Sequence, residues 1–197
     1  NITTTINDVI SMAMAKKNEK NLELIVDCDA TMPSVLLGDE KKLRRIIMNL
    51  VDNAVKFTET GGVSLRLGYR KEEYGVNLVI SVKDTGIGIS EKNLEKIFTS
   101  FNQVDASRKR QEGGLALGRA ISNALIRKMG GAITIKSKVG RGTVVQVVIP
   151  QKVLDETPIA MLQNRRAIKV ATYIDMEQFD NVAIRDEYTS MIMNMVE

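Results

Sequence analysis

Asn49-Leu50-Val51-Asp52-Asn53-Ala54-Val55-Lys56-Phe57 and, further along, Asp84-Thr85-Gly86-Ile87-Gly88-Ile89 decide how this chain is read. At 100° per residue, Asn49, Asn53 and Lys56 (i, i+4, i+7) form one stripe of a helix, beside the apolar face of Leu43, Ile46, Ile47, Leu50, Val51 and Ala54. Asparagine is a poor helix former because its amide competes for backbone partners, so two on one stripe ask for a reason. One reason is a plain solvated surface. The other is ligand chemistry, in which an amide oxygen ligates Mg²⁺ and a lysine meets phosphate. The second stretch ends an alternating strand, and Gly86 and Gly88 let the backbone turn tightly and admit a flat ring beside Asp84. A carboxylate there accepts from the amino group of adenine, whereas the carbonyl of guanine leaves it unmet. Taken singly, Asp-Thr-Gly is also ordinary turn chemistry. Brought side by side in a fold, the two stretches would hold ATP from both ends.

Working outward, Ile6, Val9, Ile10 and Ala13 give residues 2–17 a helical spacing, and Leu22 to Cys28 reads as a short strand. Pro33 and Gly38 break the chain, after which Asp39 is placed to cap the asparagine-bearing helix. Gly61-Gly62 marks a turn into Val63–Tyr69 and Val76–Val82, whose alternation predicts an antiparallel hairpin. Ser90 starts a short helix through Leu94, Ile97 and Phe98, and Asn102 to Gly114 is polar without a period, as loops over sites are. Ala116 to Met129 resumes helical spacing, and Gly130-Gly131 ends it. Ala132–Lys138 and Thr143–Ile149 read as closing strands, with Pro150 ending the domain. The expected fold class is α/β: a two-layer sandwich, its mixed, mostly antiparallel sheet of about five strands carrying three helices on one face.

Composition narrows the chemistry. The 197 residues suit one full domain with a smaller appendage, and 44% hydrophobic with 26% charged residues is ordinary for a globular protein. Cys28 is the one cysteine and can form no internal disulfide, which fits a reducing compartment, read here as cytoplasmic, with the full-length protein open to membrane anchoring. No apolar run approaches the ~20 residues of a membrane span. The net charge of +4 is modest, and the basic run Arg108-Lys109-Arg110 has no interleaved aromatics, so no nucleic-acid partner is expected. Histidine is absent, which excludes any mechanism in which this segment supplies an imidazole.

Leu36-Leu37-Gly38-Asp39-Glu40 through Thr58 resembles the asparagine box of sensor histidine kinases, and Asp84 to Ile89 resembles their first glycine box. Phe98-Thr99-Ser100-Phe101-Asn102-Gln103-Val104-Asp105 is similar to their phenylalanine box, and Gly140-Arg141-Gly142-Thr143 to the end of their ATP domain. Four matches in order over residues 1–152 are far more specific than any one. The resemblance implies the Bergerat fold, shared with gyrase, Hsp90 and MutL types, which would carry Glu where Asn49 stands. It implies that Asn53 ligates Mg²⁺, that Asn49 orients phosphate or water, and that Lys56 and a lid arginine, Arg110, meet phosphate. Asp84 would read adenine, with Gly86, Gly88, Ile89, Phe101 and Thr143 around the ring and Gly113, Gly114, Leu117 and Gly118 in the lid.

The second glycine box departs from the family pattern, reading Gly113-Gly114-Leu115-Ala116-Leu117-Gly118-Arg119-Ala120-Ile121. Ala116 puts a methyl group where backbone amides would approach phosphate. Arg119 replaces an apolar residue, as a new phosphate contact or as a solvent-facing side chain. Two readings stay open: a kinase domain that uses Mg-ATP, or a degenerate one kept as a binding or signalling module.

In this family the phosphoryl group goes to a histidine on a separate, amino-terminal dimerisation domain. The resemblance therefore implies a piece of a longer, homodimeric kinase whose further partner is a receiver domain or response regulator. The expected division is residues 1–152 as the ATP domain, 153–166 as a linker and 167–197 as an appendage. In that appendage Ile168–Asp175 reads as a strand, and a following helix carries Ile184, Tyr188, Met191, Ile192 and Met195 on one stripe. It is either the start of a receiver-like domain or a tail packed on the ATP domain or another chain, with the Met191 and Met195 face expected to be buried.

Overall fold

The structure, a computed structural model, describes residues 2–17, 20–102, 123–160 and 174–196. Its elements are α1 (Ile2–Lys17), β1 (Glu23–Cys28), β2 (Pro33–Leu37), α2 (Glu40–Phe57), β3 (Gly62–Glu72), β4 (Gly75–Asp84) and α3 (Glu91–Asn102). After a helical stretch at 123–128 (α4) come β5 (Ala132–Lys138), β6 (Gly142–Pro158), a 3-10 turn (Met176–Gln178) and α5 (Val182–Val196).

The strands form one mixed sheet in the order β1-β3-β4-β6-β2, with β5 also paired to β6. Only β1 and β3 run parallel among these pairs; the others are antiparallel. Alternation decides the layers. Val63, Leu65 and Leu67 of β3, Leu78, Ile80 and Val82 of β4, and Val147 and Ile149 of β6 are buried on one face with Ile6 and Val9 of α1 and Ile126 of α4. Helix α2 seals that face with Leu43, Ile46, Ile47, Leu50, Val51, Ala54 and Val55. Each of the larger aliphatics contributes about 1.5–3 kcal/mol relative to exposure, so α2 cannot leave the sheet without unfolding the domain. Its start is fixed as expected, by the Asp39 carboxylate accepting from Lys42 N–H at 3.0 Å. The α4 end is closed by Gly131 N–H to Ile126 O and Gly130 N–H to Arg127 O, a Schellman pair on the two glycines.

Several element readings are corrected. The sheet has six strands, because Pro33–Leu37, read as a break, is edge strand β2. A proline at the first position of an edge strand forfeits no needed donor. Nor does Pro150 end the sheet: β6 continues to Pro158, and Leu37, Leu36 and Val35 pair with Lys152, Val153 and Asp155, the last two inside the expected linker. Pro150 stands past the last β5 pairing, Ala132 with Val148, where β6 has an open side. Most of the expected strand at Ile168–Asp175 lies outside the described residues. Ile174 and Asp175 are in no strand, and the Asp175 carboxylate instead accepts from Glu177 N–H at 3.1 Å to cap the 3-10 turn.

Not all helices share one face. Helix α5 lies across the opposite face, where Ile184 and Ile25 are buried and the Ile184 side chain approaches Gly62. Polar pairs hold it there. The Tyr188 hydroxyl donates to Glu23 at 2.8 Å, Lys83 Nζ meets Glu187 Oε1 at 2.7 Å, and Ser64 Oγ donates to Glu187 Oε2 at 2.8 Å. Asp27 receives Arg66 Nε at 2.9 Å and Asn194 Nδ2 at 2.7 Å. Met191 is half-buried, and the Met195 side chain lies outside the described residues.

Candidate functional site

Register builds the first half of the site. Leu24 pairs with Val63, Val63 with Asp84, Asp84 with Thr143, and Thr143 with Ser137. These five residues therefore form a row across one end of the sheet on the face that α1 and α2 cover. The row turns from apolar to polar at Asp84, where the core ends. Asp84 is 8% exposed, and its Oδ1 accepts from Gly86 N–H at 2.9 Å and from Thr143 N–H at 3.2 Å. Burial raises its carboxyl above the ordinary value, against the pull of those two amides. Thr143, also 8% exposed, meets Ser137 Oγ at 2.9 Å through its hydroxyl.

The glycine stretch after Asp84 bridges two elements. Ile87 N–H donates to Phe57 O at 3.1 Å, tying the loop to the last turn of α2, and Gly140 N–H donates to Ile87 O at 2.8 Å. At Gly86 a Cβ would run into Phe57 O, and at Gly88, with φ +70°, into Lys138 O. Space demands glycine at both positions, and at Gly88 the backbone angle does too. Ile89 is half-buried, and its N–H donates to Ser137 Oγ at 2.8 Å.

Because Phe57 O is hydrogen-bonded to this loop, the carboxyl end of α2 and the end of β4 are neighbours. Asn53 stands one helical turn before Phe57 and Asn49 two turns before it, about 6 and 12 Å along the axis. Both are half-buried, while Lys56 is exposed with its Nζ 5.5 Å from the Phe57 ring centroid. The end of α2 is held by Lys20, whose Nζ donates to Lys56 O at 3.0 Å, Thr58 O at 3.3 Å and Val55 O at 3.4 Å, and pairs with Glu59 at 3.0 Å. A cation on the last carbonyls of a helix satisfies orphan acceptors and meets the negative end of its dipole.

The structure thus brings together Asp84, Gly86, Gly88, Ile89 and Thr143, and sets them beside the end of the helix bearing Asn49, Asn53 and Lys56. Phe101 is in the last turn of α3. Arg110, Gly113, Gly114, Leu117 and Gly118 lie outside the described residues. Sequence reading missed Ser137 and Lys20. Ser137 had a faint signal, a polar residue in the inward register of Ile133 and Ile135. Lys20 had none, since its partners are defined only once α2 has docked.

Residues 38–153, more than half of the chain, match the family of histidine kinase-, DNA gyrase B-, and HSP90-like ATPases. The chain belongs to that family. Among relatives of this ATPase domain, the signal transduction histidine-protein kinase BarA of Escherichia coli K12 is 36% identical over 141 residues, which cover 71% of this chain and 15% of BarA. Hybrid signal transduction histidine kinase B of Dictyostelium discoideum is 32% identical over 157 residues, 78% of this chain and 8% of that protein. Among solved structures, full-length ShkA in complex with AMPPNP superposes with a TM-score of 0.64 at 32% identity, covering 79% of this chain and 31% of ShkA. The ATPase domain therefore spans a small fraction of its curated relatives. Its relatives are sensor histidine kinases, hybrid forms among them. No helix among the described residues is long and apolar enough to cross a membrane.

The residues present fit a nucleotide. A carboxylate buried at the end of a core, with one oxygen fixed by two amides, leaves the other to meet an amine donor. Among the described residues no group of three or more Asp, Glu, His or Cys side chains could hold a metal ion alone. A magnesium ion carried by phosphates needs no such cage, because it keeps several waters and takes one or two protein oxygens.

Proposed function

We propose that this ATPase domain binds Mg-ATP between α2 and the end of β4 and presents the γ-phosphoryl group to a histidine on a separate dimerisation domain of the same kinase. The observation that carries this is Asp84: buried, pinned through Oδ1 by Gly86 and Thr143, and adjacent to the end of the asparagine-bearing helix. Oδ2 is the oxygen offered to the adenine amine. Asn53 would hold Mg²⁺ through its side-chain oxygen, Asn49 would orient a phosphate or a water, and Lys56, exposed at the helix end, would meet a phosphate. Bound magnesium would neutralise charge on the transferring group. Phosphoryl transfer asks chiefly for such positioning and neutralisation, and Arg110 from the lid would add to it.

The chain has no histidine, so the acceptor must come from elsewhere. In this reading the full-length protein is a cytoplasmic-facing homodimer whose phosphoryl group passes on to a receiver domain, and the α5 tail belongs with the ATP domain. A degenerate module is the second reading, favoured by Ala116 and Arg119 in the lid sequence. Calorimetric titration with AMPPNP and Mg²⁺ tests both. The proposal expects heat that is lost in Asn53→Ala, and phosphate transfer from ATP to an added histidine-bearing dimerisation domain. Absence of heat from the unaltered chain refutes the kinase reading in favour of the degenerate one.

A further inference from the structure

The cations of this chain are unevenly spread. Residues 123–154 carry Arg127, Lys128, Lys136, Lys138, Arg141 and Lys152 without one Asp or Glu, in a chain whose net charge is only +4. Such an asymmetry points to a polyanionic partner. Lys83 of β4 pairs with Val144 of β6, and Val144 with Lys136 of β5, so these three form a row on the face opposite to Asp84 and Thr143. With Lys138 and Arg141, the two lysines border an open recess of about 280 Å³. Lys83 is met by Glu187 of α5 at 2.7 Å. Lys136, Lys138 and Arg141 are exposed, and none of them is in an ion pair among the described residues. Lysines on an edge strand discourage edge-to-edge pairing, but that role explains neither the recess nor an arginine in the turn beyond the strand.

Behind the row, the same face continues as Ser81, Gln146 and Thr134 and then as Val79, Val148 and Ala132. Val79, Val144 and Val148 are half-buried, and Ala132 is exposed. Helix α5 is fastened over the other half of this face, to Glu23, Asp27, Ser64, Arg66 and Lys83. Among the described residues, none of its hydrogen bonds or ion pairs reaches β5 or β6. Three strands about 4.8 Å apart make a strip about 10 Å wide, the width of one helix.

We infer that this strip, from β4 across β6 to β5, is a docking face for an acidic helix of a partner protein. The helix lies beside α5, with its carboxylates at Lys136, Lys138 and Arg141 and its small aliphatic side chains on Val79, Val144 and Val148. Charge complementarity sets the sign of the partner, and α5 shows the chemistry within the chain, since its Glu187 already meets Lys83 on the same face. A bilayer is the poorer occupant, because the cations rim a recess and the valines do not project. Single-stranded nucleic acid finds nothing to stack on, as residues 123–154 hold no Phe, Tyr or Trp. The strip lies on the other face of the sheet from Asp84, so the inference stands apart from the nucleotide reading.

The probe is a labelled helical peptide of about 20 residues, with glutamates at i, i+4 along one stripe and alanine and leucine beside it. Its twin carries glutamine for glutamate, and binding to the whole chain is read by fluorescence anisotropy. The glutamate peptide should bind, the twin at least tenfold more weakly, and added salt should weaken the first more than the second. Lys136→Glu with Lys138→Glu turns two attractions into repulsions and should cost the glutamate peptide about tenfold. Thermal unfolding and the response to AMPPNP should stay unchanged in that variant. Carbodiimide, which joins a carboxylate directly to an amine it touches, should link the peptide to Lys136 or Lys138. No binding, equal binding of the two peptides, binding indifferent to the double substitution, or cross-links confined to other lysines each overturns the inference. So does failure of the glutamate peptide where phosphatidylglycerol vesicles or duplex DNA bind the unaltered chain and lose the substituted one, since the patch then serves another polyanion. Should the double variant not fold, Arg141→Glu is read in the same way.

Discussion

Asp84→Asn separates a base reader from a structural tie. In the fold, Oδ1 receives Gly86 N–H at 2.9 Å and Thr143 N–H at 3.2 Å. The replacing amide keeps an oxygen for these two donors, which places its NH₂ where Oδ2 stood. Both backbone bonds survive, and a buried charge is removed from a site whose burial already disfavours it. The unliganded domain should therefore unfold within about 1 kcal/mol of the unaltered one, a shift of only a few degrees in Tm. Nucleotide binding behaves otherwise. The adenine amine loses a charged acceptor, worth about 1.5–3 kcal/mol, and meets a second donor that leaves it unsatisfied at a further 1–3 kcal/mol. The sum is about 3 kcal/mol or more, at least a hundredfold in Kd. Calorimetry with AMPPNP beside thermal unfolding reads both quantities. Retained affinity, or affinity and fold lost together, would refute the assignment.

The same residue gives a pH signature with two opposite signs. Its folded pKa is raised, so the stability it contributes is full below the unfolded value and is lost as pH rises through the folded one. In the proposed reading, by contrast, the ionised form is the one that would accept from adenine. On acidification, affinity should start to fall above the usual carboxylate range while this group's effect on stability improves. Asp84→Asn should flatten both responses.

Three further perturbations test the frame around the site. Gly88→Ala combines a positive φ, costing about 1–2 kcal/mol, with a methyl group driven into Lys138 O, so denaturant unfolding should show a loss of about 2 kcal/mol or more; a neutral result would mean that the loop is not held as described. Glu187 is pushed up by burial but held below its ordinary value overall by bonds from Lys83 and Ser64 and by the charges of Lys83 and Arg66. It thus contributes stability above its unfolded pKa that is lost as pH falls through the folded one, and Glu187→Gln should cost about 1 kcal/mol at neutral pH and little in acid. An equal cost at both pH values, measured by urea unfolding, would count against that pair. The Cys28 thiol is pushed up to about 11 by burial and then by Asp27, so alkylation at neutral pH should run about a hundredfold slower in the folded chain than in urea. Equal rates would place Cys28 outside the fold described.

Much of the fold was legible because its signals are local. Asp39 caps α2, an apolar stripe buries it, and the alternation of Val76 to Val82 continues into Asp84 with the hairpin in register. Strand β2 was not legible, and neither was the second half of β6. Pro33–Leu37 is short and begins with proline, and its partner at Lys152–Pro158 is polar and distant in sequence. Each is a strand only because the other is there, and no local pattern reports such a pairing. At the site, the glycines around Asp84 gave away a close approach. Ser137 was hidden because a lone serine in a strand has no meaning until its register partner is known to be Thr143. The position of α5 was hidden for a related reason: its stripe shows that it must be covered, and polar partners such as Glu23, Asp27, Ser64 and Lys83 say by what.

Those partners also place the tail helix behind the site. Lys83, which holds Glu187, is the residue before Asp84, and Ser64, which donates to the same carboxylate, follows the Val63 that pairs with Asp84. The side chains of Asn181 and Ile184 lie against Gly61 and Gly62, and Gly62 N–H is bonded to Thr85 Oγ1 at 3.0 Å. Alternation along a strand sends neighbouring side chains to opposite faces, so what grips Lys83 and Ser64 on one side fixes the backbone that aims Asp84 on the other. The strand end is thus held twice, by the Gly86 and Thr143 amides in front and by the α5 carboxylate behind. A strand end so braced can keep a buried carboxylate at a fixed height while the opposite wall, carried by α2, is fixed through Phe57 O and Lys20. If Asp84 meets the base as proposed, recognition would rest on backbone register and on helix α5 as much as on that side chain.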